Sequence, residues 1–186
     1  MEKYDALVVI DVQNDFCPGG TSPVPDGQYV IPVINQWIEQ ARAVGARVVA
    51  SRDWHPPDHC SFREQGGPWP AHCIRETPGA AFAAELALPD DALVVSKGAA
   101  GDRDNDSAFD DTGLANMLHA QGIRRIWVSG LAEDVGVRAS VLDACEAGFA
   151  THLVTSATRA INMQPGDGER AVEAMRAAGA HIELVA

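Results

Sequence analysis

The chain has 186 residues, 46% of them hydrophobic, and 26 acidic against 14 basic side chains give a formal net charge of −12. That length suits one domain spanning 1–186 and is short for two, while so acidic a surface, with no basic stripe, repels nucleic-acid phosphates. No apolar stretch reaches the roughly 18 residues of a membrane span, and the N-terminus lacks an export pattern, so a soluble cytoplasmic protein without membrane or nucleic-acid partners is expected.

The first apolar run, Ala6-Leu-Val-Val-Ile-Asp-Val12, predicts a strand that delivers Asp11 to its carboxyl end. Val30, Ile31, Val33, Ile34, Trp37, Ile38 and Ala41 then recur at helical spacing. Pro32 sits in the first turn, where a missing N–H is harmless, and Gly45 closes the helix. Arg47–Ser51 reads as a second strand. A long irregular stretch follows from Arg52 to about Ala80, rich in Pro, Gly, His and Trp; loops of this length inside compact domains are usually functional. Ala92–Ser96 is a third strand, delivering Lys97, and an Asp- and Gly-rich loop runs from Gly98 to Asp111. A helix over 112–121, capped at Asp111 or Thr112, precedes the strand Arg125–Ser129. The pattern ends with a helix over 134–147, a strand over 150–155, a helix over 169–178 and a last strand over 181–185. Such alternation predicts an α/β, three-layer sandwich: a mainly parallel six-stranded sheet with helices on both faces.

Ligands of such sheets bind beyond the carboxyl ends of the strands, where Asp11, Asp53, Lys97 and Gly130–Gly136 all fall. Each taken alone has an ordinary reading: a turn carboxylate, a lysine reaching solvent, a plain strand–helix connection. Together, Asp11 and Lys97 suggest a charge pair in a cleft. Asp53-Trp-His55-Pro-Pro-Asp-His59, with His72 further on, holds half of the six histidines. Three imidazoles and a carboxylate suit zinc, iron(II) or manganese with positions left open; the plainer alternative is a set of surface turn residues. Phe16 and Trp69 either stack on a planar ring or shield a core edge. Backbone N–H groups at the 130–136 turn would favour a developing negative charge. The four cysteines, Cys17, Cys60, Cys73 and Cys145, form no C-x-x-C pair and read as reduced thiols.

With these pieces assembled, the chain resembles the nicotinamidase/pyrazinamidase branch of the isochorismatase-like hydrolases over essentially its whole length. The resemblance rests on Val9-Ile-Asp-Val-Gln-Asn-Asp-Phe-Cys-Pro-Gly-Gly20, Asp53-Trp-His-Pro-Pro-Asp-His59, Trp69-Pro-Ala-His-Cys73 and Lys97-Gly98. It extends to Gly130-Leu-Ala-Glu-Asp-Val-Gly-Val-Arg138 and Asn162-Met-Gln-Pro-Gly-Asp167. It implies a cysteine nucleophile in an Asp-Lys-Cys triad that attacks the nicotinamide carboxamide, releases ammonia and is freed by water, as a step of pyridine-nucleotide salvage. Asp11 would then be the base and Lys97 its orienting cation. Asp53, His55, His59 and His72 would bind one divalent metal, zinc first, with iron or manganese as alternatives. Phe16, Trp69, Leu131 and Val135 would wall a planar-ring substrate. Ala132 and residue 136 would form the oxyanion hole, with a cis peptide at Leu131–Ala132. Both monomers and homo-oligomers fit the resemblance.

Residue 136 departs from the pattern, because glycine stands where the motif calls for the nucleophilic cysteine. Three readings compete, in this order. The chain is a nicotinamidase impaired or silenced at that position, a hydrolase that uses water on a different substrate, or a non-catalytic ligand-binding protein on the same fold.

Overall fold

The computed structural model describes residues 1–183. Six parallel strands form one sheet: β1 (Asp5–Ile10), β2 (Arg47–Asp53), β3 (Leu93–Lys97), β4 (Arg125–Leu131), β5 (Ala150–Arg159) and β6 (His181–Glu183), in the spatial order β3-β2-β1-β4-β5-β6. Successive side chains of a strand point to opposite faces, and β1 is apolar on both. Ala6, Val8 and Ile10 enter one core cluster, Leu7 and Val9 the other. The first cluster packs under α2 (Leu114–Ala120), α3 (Arg138–Glu146) and α4 (Asp167–Ala177), through Leu114, Leu118, Val141, Ala144, Ala171 and Met175. The second packs under α1 (Val30–Val44), through Ile31, Ile34, Ile38 and Ala41. The expected parallel sheet with helices on both faces is therefore present.

Element ends shift by a few residues, in ways that matter for the site. The first strand stops at Ile10 rather than Val12, because Asp11 turns into the left-handed region (φ 47°). The second runs on to Asp53, which pairs in register with Lys97 at the end of β3. Helix α2 begins at Leu114 after Gly113, and Thr112 Oγ accepts the Leu114 N–H instead of capping a longer helix. The helix expected from residue 134 opens as a π turn over Glu133–Val137 before α3 begins. Leu184 and Val185, expected in the last strand, lie outside the described residues.

Gly130 shows how closely β1 and β4 approach. It pairs with Ile10, has φ +115°, and a Cβ there would lie 2.0 Å from the Ile10 carbonyl oxygen. Gly130→Ala should therefore destabilise the protein by at least about 3 kcal/mol, through steric overlap added to backbone strain. A fall in the denaturant midpoint at unchanged slope would show it.

Candidate active site

In the strand order 3-2-1-4-5-6 the chain reverses direction of winding between β1 and β4, and a crevice opens beyond their carboxyl ends. Asp11 follows β1 there, and Leu131 ends β4. Asp53 and Lys97 end the next two strands along the sheet. The loops after β2 and β3 fold over this edge and complete a narrow cleft.

Lys97 is the buried centre of charge. Its Nζ donates to Asp11 Oδ2 at 2.9 Å and also to Asp53 Oδ1. Ser51 Oγ donates to the other Asp11 oxygen at 2.7 Å. Burial disfavours all three charges, and the outcome differs for each. Burial outweighs the pull of Lys97 on Asp11 and pushes that carboxyl up to about 6. At Asp53 the opposing pull of Lys97, joined by the neighbouring His55 and His72, wins, and the carboxyl falls well below the usual range. At Lys97 burial is outweighed by Asp11 and Asp53, so the ammonium is held above its ordinary value.

Asp53, His55 and His72 come together, with donor atoms all within 4.8 Å of one another. The Nε2 atoms of His55 and His72 lie 3.6 and 3.7 Å from Asp53 Oδ2. Each ring meets a backbone carbonyl through Nδ1, His55 that of Gly98 at 3.0 Å and His72 that of Pro70 at 2.8 Å. Nδ1 must donate in these pairs, so both Nε2 lone pairs face the carboxylate, as metal ligation requires. The donor set and its tautomers fit a divalent transition metal. His59, expected as a fourth ligand, is not in this set although its ring packs 4.1 Å from that of His55. Its Nδ1 accepts from the Ser61 hydroxyl (2.7 Å), and its Nε2 meets the Arg103 carbonyl (3.1 Å), so neither nitrogen has a lone pair to offer.

Phe16, Trp69, Leu131, Ala132, Val135 and Gly136 line the same cleft. Phe16 and Trp69 are half-buried, and the Leu131–Ala132 peptide bond is cis. A Cβ built on Gly136 would lie 3.0 Å from Asp11 Oδ2, 3.3 Å from Ile10 Cγ2 and 3.4 Å from the Asp106 carbonyl oxygen. A side chain at 136 would therefore issue directly beside the carboxylate of Asp11. None of the four cysteines lines the cleft. Cys73 is buried elsewhere, and burial followed by the charges of Asp53 and Asp15 pushes its thiol far up.

Three supporting residues were not picked out by the sequence reading. Gln13 Nε2 donates to the carbonyls of Asp53 (2.8 Å) and Ala80 (2.9 Å), and its Oε1 accepts the Asp53 N–H at 2.8 Å. Asp15 accepts the Cys73 N–H at 2.7 Å and the Thr21 N–H at 3.2 Å. Ser51 fixes Asp11. Their only sequence signal was position: Gln13 and Asp15 follow Asp11, and Ser51 lies two residues before Asp53. Asp106, also missed, lines the cleft mouth.

The description "Isochorismatase domain" fits residues 5–186 of the chain. The nicotinamidase of Escherichia coli (strain K12) is 36% identical over 97% of this chain and 95% of its own. The nicotinamidase/pyrazinamidase of Mycobacterium tuberculosis is 36% identical over 97% of each. The crystal structure of the pyrazinamidase of Pyrococcus horikoshii in complex with zinc superposes with a TM-score of 0.93 at 44% identity, over 98% of this chain and 99% of that one.

Removal of the Lys97 ammonium tests the charge cluster. Lys97→Met should cost the metal-free protein about 3–5 kcal/mol at pH 7, because two carboxylates stay buried without their cation. In the native chain Asp53 contributes stability that is present above the ordinary aspartate value of 3.8 and lost as pH falls toward its lowered folded value, whereas Asp11, raised to about 6, already takes up a proton in the folded state between pH 7 and 4. In the variant both carboxyls titrate upward, so the folded state binds more protons and gains stability as pH falls from 7 toward about 4. The difference between the two proteins should narrow over that window in paired urea titrations.

Proposed function

The chain belongs to the isochorismatase domain family, and on that premise we propose that it is a nicotinamidase-type amidohydrolase whose turnover is limited at Gly136. One observation carries the reading: the Asp11–Lys97 pair and the Asp53, His55, His72 trio face a single cleft whose lining contains Gly136 and no thiol. The names of the relatives support nicotinamide or a similar ring carboxamide as the substrate, and the neighbour in complex with zinc supports zinc as the metal.

In this reading a flat carboxamide lies between Phe16 and Trp69. A divalent cation held by Asp53, His55 and His72 would supply a Lewis-acid docking point for a ring nitrogen. The Ala132 end of the 131–136 turn takes the carbonyl oxygen as negative charge develops on it. Asp11, fixed by Ser51 and Lys97, would receive the proton of a thiol at residue 136 and return it to the departing amine. The side chain that would carry the attack is absent at residue 136. Loss of a covalent nucleophile removes several powers of ten in rate while binding and oxyanion stabilisation survive.

Purified protein should accordingly bind nicotinate, hold about one zinc-like ion per chain and release ammonia from nicotinamide only slowly. Gly136→Cys should raise that rate by at least about 1,000-fold; its Cβ meets Asp11 Oδ2 at 3.0 Å, a contact relieved by a small shift of the carboxylate. Brisk ammonia release by the unsubstituted chain would remove the limit assigned to Gly136. Metal analysis separates the histidines. His55→Ala and His72→Ala should lose the ion without unfolding; His59→Ala should keep its stoichiometry, and loss there would make His59 a ligand.

A further inference from the structure

We propose that Asp106 is a further catalytic residue of this chain, the general base for a water molecule that attacks the carboxamide carbon from the open side of Gly136. The inference rests on the amidohydrolase reading above. Residues 106 and 136 sit side by side, since the Asp106 carbonyl oxygen lies 3.4 Å from where a Cβ of residue 136 would be, and both line the cleft with Asp11. The two carboxylates differ in the partners they hold. Each oxygen of Asp11 already accepts a hydrogen bond, from Ser51 on one side and Lys97 on the other. The Asp106 carboxylate accepts none and forms no ion pair among the described residues. Residue 106 is exposed at the cleft edge, yet its carboxyl is partly withdrawn from water, and this, reinforced by Asp104 and Asp53 and opposed by Lys97, raises its proton affinity.

The step needs no reactant besides water. An O–H bond of water breaks and its proton goes to the Asp106 carboxylate, while the oxygen bonds to the carboxamide carbon. As the tetrahedral species collapses, the C–N electron pair leaves with nitrogen, which takes the proton back from Asp106. The products are a carboxylic acid and ammonia, and no thioester forms.

The same substitution made in two backgrounds tests this. Asp106→Asn should lower the slow nicotinamide hydrolysis of the native chain by about 100-fold. In the Gly136→Cys protein, where sulfur attacks, its cost should be smaller by at least about tenfold. Asp106→Ser should repeat the pattern, and the bound-metal content of each variant reports that the cleft is still assembled. Equal losses in both backgrounds would make Asp106 structural, and an unchanged native rate would remove it from the reaction. Absence of any ammonia release by the native chain would also overturn the water route, yet leave the amidohydrolase scaffold standing if Gly136→Cys gains activity. Failure of Gly136→Cys to gain activity would count against that scaffold reading instead.

Discussion

A buried ammonium shared between two carboxylates is the constraint on which this structure depends. Lys97 ends one strand, Asp53 its neighbour, and Asp11 follows the central strand, so the sheet itself sets their spacing. Three buried charges are tolerable only while all three remain together. That requirement fixes the relative register of β1, β2 and β3 at the end where chemistry takes place. It also divides labour between the carboxylates. Asp53 stays ionised and faces the imidazoles, whereas Asp11 is held near the point at which it exchanges a proton.

The architecture was legible in the sequence because its signals are local and repeated. Buried parallel strands read as continuous apolar runs, and β1 is such a run, with alternate residues entering opposite cores. Helical spacing marked α1, and Gly45 with φ 73° ended it as expected. The errors at element ends have specific causes. Asp11 leaves the strand conformation in order to point at Lys97, and the 133–137 stretch widens into a π turn, which no periodicity of 3.6 foretells.

The site was legible only where chemistry-bearing residues end strands or cluster in one motif. Asp11, Lys97, Asp53, His55 and His72 fall in that class. His59 looks the same on paper as its neighbours, but its role turns on which hydrogen bonds its two nitrogens make. Those bonds come from Ser61 and from Arg103, the latter 44 residues away. Asp106 carried no signal in an Asp-rich loop until the fold set it beside residue 136. Gly136 was conspicuous by contrast with its surroundings, and the structure adds that its missing side chain would touch Asp11.

Gln13 has a consequence for any attempt to transplant this chemistry. One carboxamide grips both polar atoms of the Asp53 backbone and the carbonyl of Ala80, while nearby Asp15 holds the Cys73 amide. The histidine-bearing segment is thus anchored to the turn after β1 as well as to the ends of β2 and β3. Grafting residues 53–80 onto a foreign scaffold would carry the ligands across and leave their moorings behind. A portable version of this centre would have to include the stretch from Asp11 to Asp15 as well.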